Sequence, residues 1–135
     1  MSRTLAREVA MKMEYSKILG GSETPESVLE KTETEAKLDQ EDIDFANELV
    51  TGIDGERDRI DALIEKYAVG WSFDRIAKVD LCILRLSVFE MLSREDVPTG
   101  ASINEAVELA KKYGGEKSFA FINGILGSVA KELEE

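Results

Sequence analysis

The chain has no histidine and a single cysteine, Cys82. The first absence removes the commonest general base and the commonest metal ligand. The second leaves no internal disulfide and no Cys-rich zinc site. Cys82 sits in the apolar run from Val79 to Leu92, which predicts a buried small hydrophobe, not a reactive thiol. No Gly-rich phosphate loop and no Ser-centred elbow is present. The 28 carboxylates are chemically able to pair as acid and base or to bind a metal. They fall mainly on polar helix faces beside Lys or Arg, the pattern of a solvated surface. A di-iron helical bundle would need Glu-x-x-His, which this chain cannot supply. The sequence therefore predicts no enzyme, no cofactor and no metal.

Binding chemistry remains. The net charge is −11, but its distribution is uneven. Residues 1–20 carry +2, residues 21–65 carry −11, and residues 66–135 carry −2. Arg3 and Arg7 are four apart and share one helix face. A polyanion can dock at that basic end while the acidic segment keeps the protein soluble and repels misdirected polyanions.

The elements that must position these residues read as helices. With 135 residues, 43% apolar and 33% charged, and only two prolines, the chain is expected to form one all-α domain spanning 1–135. Ala6, Val9, Ala10 and Met13 set a helical stripe over 3–19, ended by Gly20-Gly21. Thr24-Pro25-Glu26 starts a weakly amphipathic helix reaching about residue 38. Apolar residues keep a helical rhythm over 41–68, in one helix or two, because Gly52 and Gly55 interrupt it. Gly70-Trp71-Ser72 is a junction between an N-terminal helical lobe (1–70) and a C-terminal one (71–135). Residues 73–93 are apolar nearly all round, so that helix should be central. Ser102 and Glu105 form a capping box for the next helix. The last helix, about 116–133, turns Phe119, Ile122, Ile125, Leu126 and Val129 inward. Gly124 either permits close helix packing or, with Asn123, lines a functional surface; packing is the expectation. The fold is a compact two-lobed bundle of about six or seven helices. No apolar stretch long enough to span a membrane occurs and no signal peptide is visible, so the expected location is cytoplasmic.

Three stretches together resemble the NusB family of bacterial transcription antitermination factors. The first is Leu5-Ala6-Arg7-Glu8-Val9-Ala10 followed by Tyr15-Ser16. The second runs from Arg75-Ile76 through Val79-Asp80-Leu81-Cys82-Ile83-Leu84-Arg85-Leu86-Ser87-Val88-Phe89-Glu90, then Asp96-Val97-Pro98 and Ile103-Asn104-Glu105-Ala106-Val107-Glu108-Leu109-Ala110-Lys111. The third is Ser118-Phe119-Ala120-Phe121-Ile122-Asn123-Gly124-Ile125-Leu126. Several uncommon features thus follow in one order and spacing over nearly the whole chain, most weakly over 21–40.

The resemblance implies a non-catalytic adaptor that binds single-stranded boxA RNA with the small-subunit ribosomal protein NusE. It also implies an indirect action on RNA polymerase that promotes read-through in ribosomal RNA transcription. A homodimer is possible, since family members differ in this respect. Carried over by position, the RNA surface would use Arg3 and Arg7, then Lys117 and Phe121 at the start of the last helix. Arg grips phosphates with a rigid fork, and bases stack on exposed aromatics. Phe121 is otherwise a core residue. Lys111, Lys112 and Lys117 either extend the phosphate track or are ordinary solvated lysines. Tyr15 and Tyr67 are further RNA candidates, with packing as the other reading. The ribosomal partner would dock along 73–93, at Asp74, Asp80 and Arg85; Arg85 and Glu90 alternatively serve an internal ion pair. Two departures stand out. The family often carries more N-terminal arginines, and Glu14 stands where it prefers an apolar residue. A helical protein–protein module without RNA binding of its own is the competing reading.

Overall fold

The computed structural model describes residues 2–32 and 34–134, and all regular structure among them is helical. Six α-helices follow in order: α1 (Arg3–Ile18), α2 (Pro25–Lys31), α3 (Gln40–Tyr67), α4 (Lys78–Ser93), α5 (Thr99–Tyr113) and α6 (Ser118–Leu133), with a 3-10 turn at Phe73–Arg75 before α4. Helix α4 packs against α1, α3, α5 and α6. Its residues from Asp80 to Glu90 are all buried. The largely apolar run therefore marks the centre of the fold, and its charged residues Asp80, Arg85 and Glu90 are buried with it.

Local signals start the helices. Ser2 caps α1, its hydroxyl accepting from the Leu5 amide at 3.2 Å. Thr24 and Ser27 form a reciprocal capping box at α2, and Asp39 and Asp42 do so at α3. The rhythm over 41–68 belongs to the one helix α3 (Gln40–Tyr67), with a break in helical geometry at Glu56 (φ −117°, ψ 16°), directly after Gly55. Helices α3 and α4 approach closely at Gly52. A Cβ there would land on the Phe89 ring.

Five expectations need correction. Helix α2 stops at Lys31, not near residue 38. Its apolar pattern is sparse after Leu29, so little burial drives it further; position 33 lies outside the described residues. The central helix begins at Lys78, not at residue 73, because Phe73–Arg75 closes a separate 3-10 turn. Ser102 does not cap α5. That helix starts at Thr99, and Ser102 is buried one turn in, its hydroxyl 2.8 Å from Ser87 Oγ. Phe119 points outward, 43% exposed, while Ile122, Ile125, Leu126 and Val129 are buried. Gly124 is exposed, and a Cβ there meets nothing, so internal packing does not require it. No helix among the described residues is long and apolar enough to cross a membrane.

Candidate nucleic-acid interface

The turn joining α5 to α6 sets the geometry of the site. Gly114 ends α5, and a Cβ there would crowd Ser118 and the Ala110 carbonyl at 2.6–2.7 Å. The Ser118 hydroxyl accepts from the Gly115 amide at 2.9 Å and donates to Asp80 Oδ2 at 3.0 Å. This tie fixes the first turn of α6 against the first turn of α4. It sets Lys117, just ahead of α6, and Phe121, one turn in, at one rim. In the junction between α3 and α4, Gly70 adopts φ +83°, a conformation that costs glycine little. The chain then turns so that Trp71 projects outward, 54% exposed. Trp71 meets Phe121 edge to face, with centroids 5.7 Å apart and planes at 64°.

The resulting cleft is lined by Trp71, Arg75, Asp80, Lys117, Ser118 and Phe121, among others. Arg75 and Lys117 make no ion pair among the described residues. At the floor, Asp80 is 7% exposed and its Oδ1 has no hydrogen-bond partner. Burial pushes its carboxyl above the ordinary value, with the Ser118 hydrogen bond pulling the other way. A second, more apolar groove is lined by Met11, Lys12, Tyr15, Val79 and Tyr113. The consecutive residues Val79 and Asp80 belong to one groove each, so the two adjoin across the first turn of α4. The Lys12 and Lys112 ammonium groups lie 5.1 and 5.3 Å from the Tyr113 ring centre, within cation–π range. The face thus combines stackable rings with cations, the combination single-stranded nucleic acid needs.

The candidate RNA residues divide accordingly. Lys117, Phe121 and Tyr15 line the paired grooves. Lys112 is exposed, with its ammonium 2.5 Å from Glu8, an ion pair that holds its pKa above the usual lysine value. Lys111 is exposed, 3.6 Å from Glu108 and over the Phe119 ring. Arg3 is half-buried, its guanidinium 4.5 Å from the Phe45 ring centre and 3.5 Å from Asp96. Tyr67 lies apart, its hydroxyl donating to Glu132 at 2.6 Å in a separate recess with Lys66 and Lys131.

Burial corrects three placements. Arg7 is 6% exposed and its guanidinium is committed to Glu90, so it is an internal residue and not a surface contact. The sequence offered no sign of this, because its partner is 83 positions away. Arg85 is likewise buried between Glu14 and Asp61. Its internal partners are those two, not Glu90. Asp80 reaches the surface only as the floor of the cleft. Asp74, in the 3-10 turn, is exposed. Sequence reasoning missed Trp71, Arg75, Lys12 and Tyr113. Trp71 carried a usable signal, a large aromatic beside a junction glycine. The described residues include no cluster of three or more potential metal ligands.

The NusB family model matches residues 2–131. The chain is 45% identical over 143 residues to the transcription antitermination protein NusB of Carboxydothermus hydrogenoformans, covering all of this chain and 96% of the relative. It is 44% identical over 131 residues to that of Acetivibrio thermocellus, covering 97% and 90%. Among solved structures it is similar to T. maritima NusB, with a TM-score of 0.83 and 36% identity over 98% of this chain and 92% of that one. It is also similar to a chain from a crystal structure of the antitermination factors NusB and NusE in complex with dsRNA, with a TM-score of 0.79 and 31% identity over 96% of each. With its helical architecture, its grooved face and these full-length matches taken together, the chain belongs to the NusB family.

Proposed function

We propose that this protein is a non-catalytic transcription antitermination factor acting in the cytoplasm. It binds boxA RNA together with the ribosomal protein NusE and promotes read-through during ribosomal RNA transcription, reaching RNA polymerase only through that complex. The observation that carries the reading is the Trp71–Phe121 ring pair flanked by Arg75 and Lys117, which make no ion pair among the described residues. Rings accept bases of any sequence on their faces, and the cations take the phosphates. Lys111, Lys112 and Arg3 extend the cationic rim, and Tyr15 supplies a ring in the adjoining groove. Asp74 is the exposed carboxylate offered to a basic partner. A homodimer would compete for the same face.

Most cations of this chain are already paired with acids, which favours weak RNA binding by the protein alone. The salt slope is then shallow, roughly −0.7 per neutralised phosphate on a single strand, and NusE supplies much of the affinity. Fluorescence anisotropy of a short boxA RNA, with and without NusE, tests this. Partner-dependent binding supports the reading. NusE binding with no RNA retained at low salt overturns it in favour of a protein–protein module, a reading the net charge of −11 keeps open.

A further inference from the structure

Glu14 is fully buried in α1, at 0% exposure. Its Oε2 accepts from Arg85 Nη1 at 3.0 Å, and its Oε1 has no hydrogen-bond partner. The same guanidinium is already engaged from the other side: Arg85 Nε and Nη2 each donate to one oxygen of Asp61 at 2.9 Å. Two carboxylates therefore share one buried cation, on three different helices. Asp61 is partly exposed, at 21%, so when both are ionised the uncompensated negative charge falls on the fully buried Glu14, which is costly in a low-dielectric interior.

The groups facing Glu14 do not cancel that charge. From α4 come Arg85 and the neutral thiol of Cys82. From α3 come Asp61 and Arg57, and from α1 itself Lys17. Lys17 and Arg57 act at longer range, and both are bound to Asp54. Arg85 with Asp61 already forms a neutral, bidentate pair.

We propose that the Glu14–Arg85–Asp61 cluster is a proton-sensitive clasp between α1 and the α3–α4 pair, closed when Glu14 carries a proton. Proton uptake at the orphaned carboxylate leaves Arg85 and Asp61 as a matched pair and removes the unbalanced charge. Burial drives the Glu14 carboxyl above its ordinary value, while the neighbouring Arg85 charge opposes this without cancelling it. A carboxyl raised in the folded state destabilises the fold most above its folded pKa. That penalty is relieved as pH falls toward the unfolded value. Groups held low, such as Asp96 at about 2 beside Arg94, act with the opposite sign and only at stronger acidity. The cluster shares no residue with the Trp71–Phe121 cleft.

The test is thermal unfolding of the full chain between about pH 8 and pH 5, for wild type, Glu14→Gln, Glu14→Leu and Asp80→Asn, with carbon NMR of the Glu14 carboxyl. Glu14→Gln keeps an acceptor for Arg85 and cannot ionise; Asp80→Asn controls for the other raised carboxyl. The wild-type midpoint should rise as pH falls, and both Glu14 variants should lose most of that rise and unfold at higher temperature than wild type near pH 8. The Glu14 carboxyl should titrate above the ordinary glutamate range. Parallel wild-type and Glu14→Gln profiles, or a Glu14 carboxyl titrating at or below the ordinary range, overturn the proposal. The NMR titration decides it even if a variant fails to fold.

Discussion

Arg7 of α1 and Glu90 of α4, 83 positions apart, form a forked ion pair inside the molecule. Arg7 Nη2 lies 2.8 Å from Glu90 Oε1, and Nε donates at 3.1 Å. Both side chains are almost wholly buried. Glu90 is held further by Ser102 Oγ at 3.4 Å, and Arg7 Nη1 reaches to within 3.6 Å of Glu105. Breaking such a pair from one side strands a buried charge. Arg7→Ala is therefore expected to lower unfolding stability by about 3–5 kcal/mol, measured by urea denaturation. Arg7→Met with Glu90→Leu should recover most of the loss. Any drop in RNA binding by Arg7→Ala is then a folding effect, which the double variant separates from a direct contact.

Two mid-helix glycines should respond oppositely to alanine. At Gly52 the new methyl falls on the Phe89 ring at the α3–α4 crossing. Overpacking of this kind costs about 1–3 kcal/mol. At Gly124, exposed on α6, the methyl meets nothing, and the higher helix propensity of alanine should stabilise the protein by up to about 1 kcal/mol. Denaturant midpoints of the two single variants check both signs.

Cys82 should be inert in the native protein. It is fully buried, and burial with the nearby Glu14 charge pushes its thiol up to about 12. The thiolate is the reactive form. Treatment with a thiol-specific reagent near pH 8 should leave the folded protein unlabelled and label it fully in denaturant. Rapid native labelling would contradict the packing of α4 described above.

Helix order and the central position of α4 were legible in the sequence because they follow from apolar periodicity, which is local. The apolar run from Val79 to Leu92 needs no knowledge of partners to be read as interior. The charged residues were not legible in the same way. Arg3 and Arg7 are indistinguishable by spacing, yet Glu90 and Glu105 draw Arg7 inward, while Arg3 stays half-exposed beside Phe45 and Asp96. Ser102 satisfied the pattern of a capping box but is used in the interior, where its hydroxyl meets Ser87. Phe121 and Tyr67 were both candidate stacking rings in the sequence, Tyr67 the weaker of the two. Only the folded chain separates them, by setting Phe121 beside Trp71 and Tyr67 against Glu132.

The central claim is that RNA binds across the cleft between Trp71, Phe121 and Lys117. The most direct test is anisotropy titration of boxA RNA in the presence of NusE, comparing wild type with Phe121→Ala, Lys117→Ala and the control Lys37→Ala, a lysine in the connection between α2 and α3. Loss of a stacking ring should cost about 1–3 kcal/mol of binding. Loss of Lys117 should flatten the salt slope by about 0.7, and the control should behave as wild type. Unchanged affinity and salt slope in both cleft variants, with folding intact, would contradict the account.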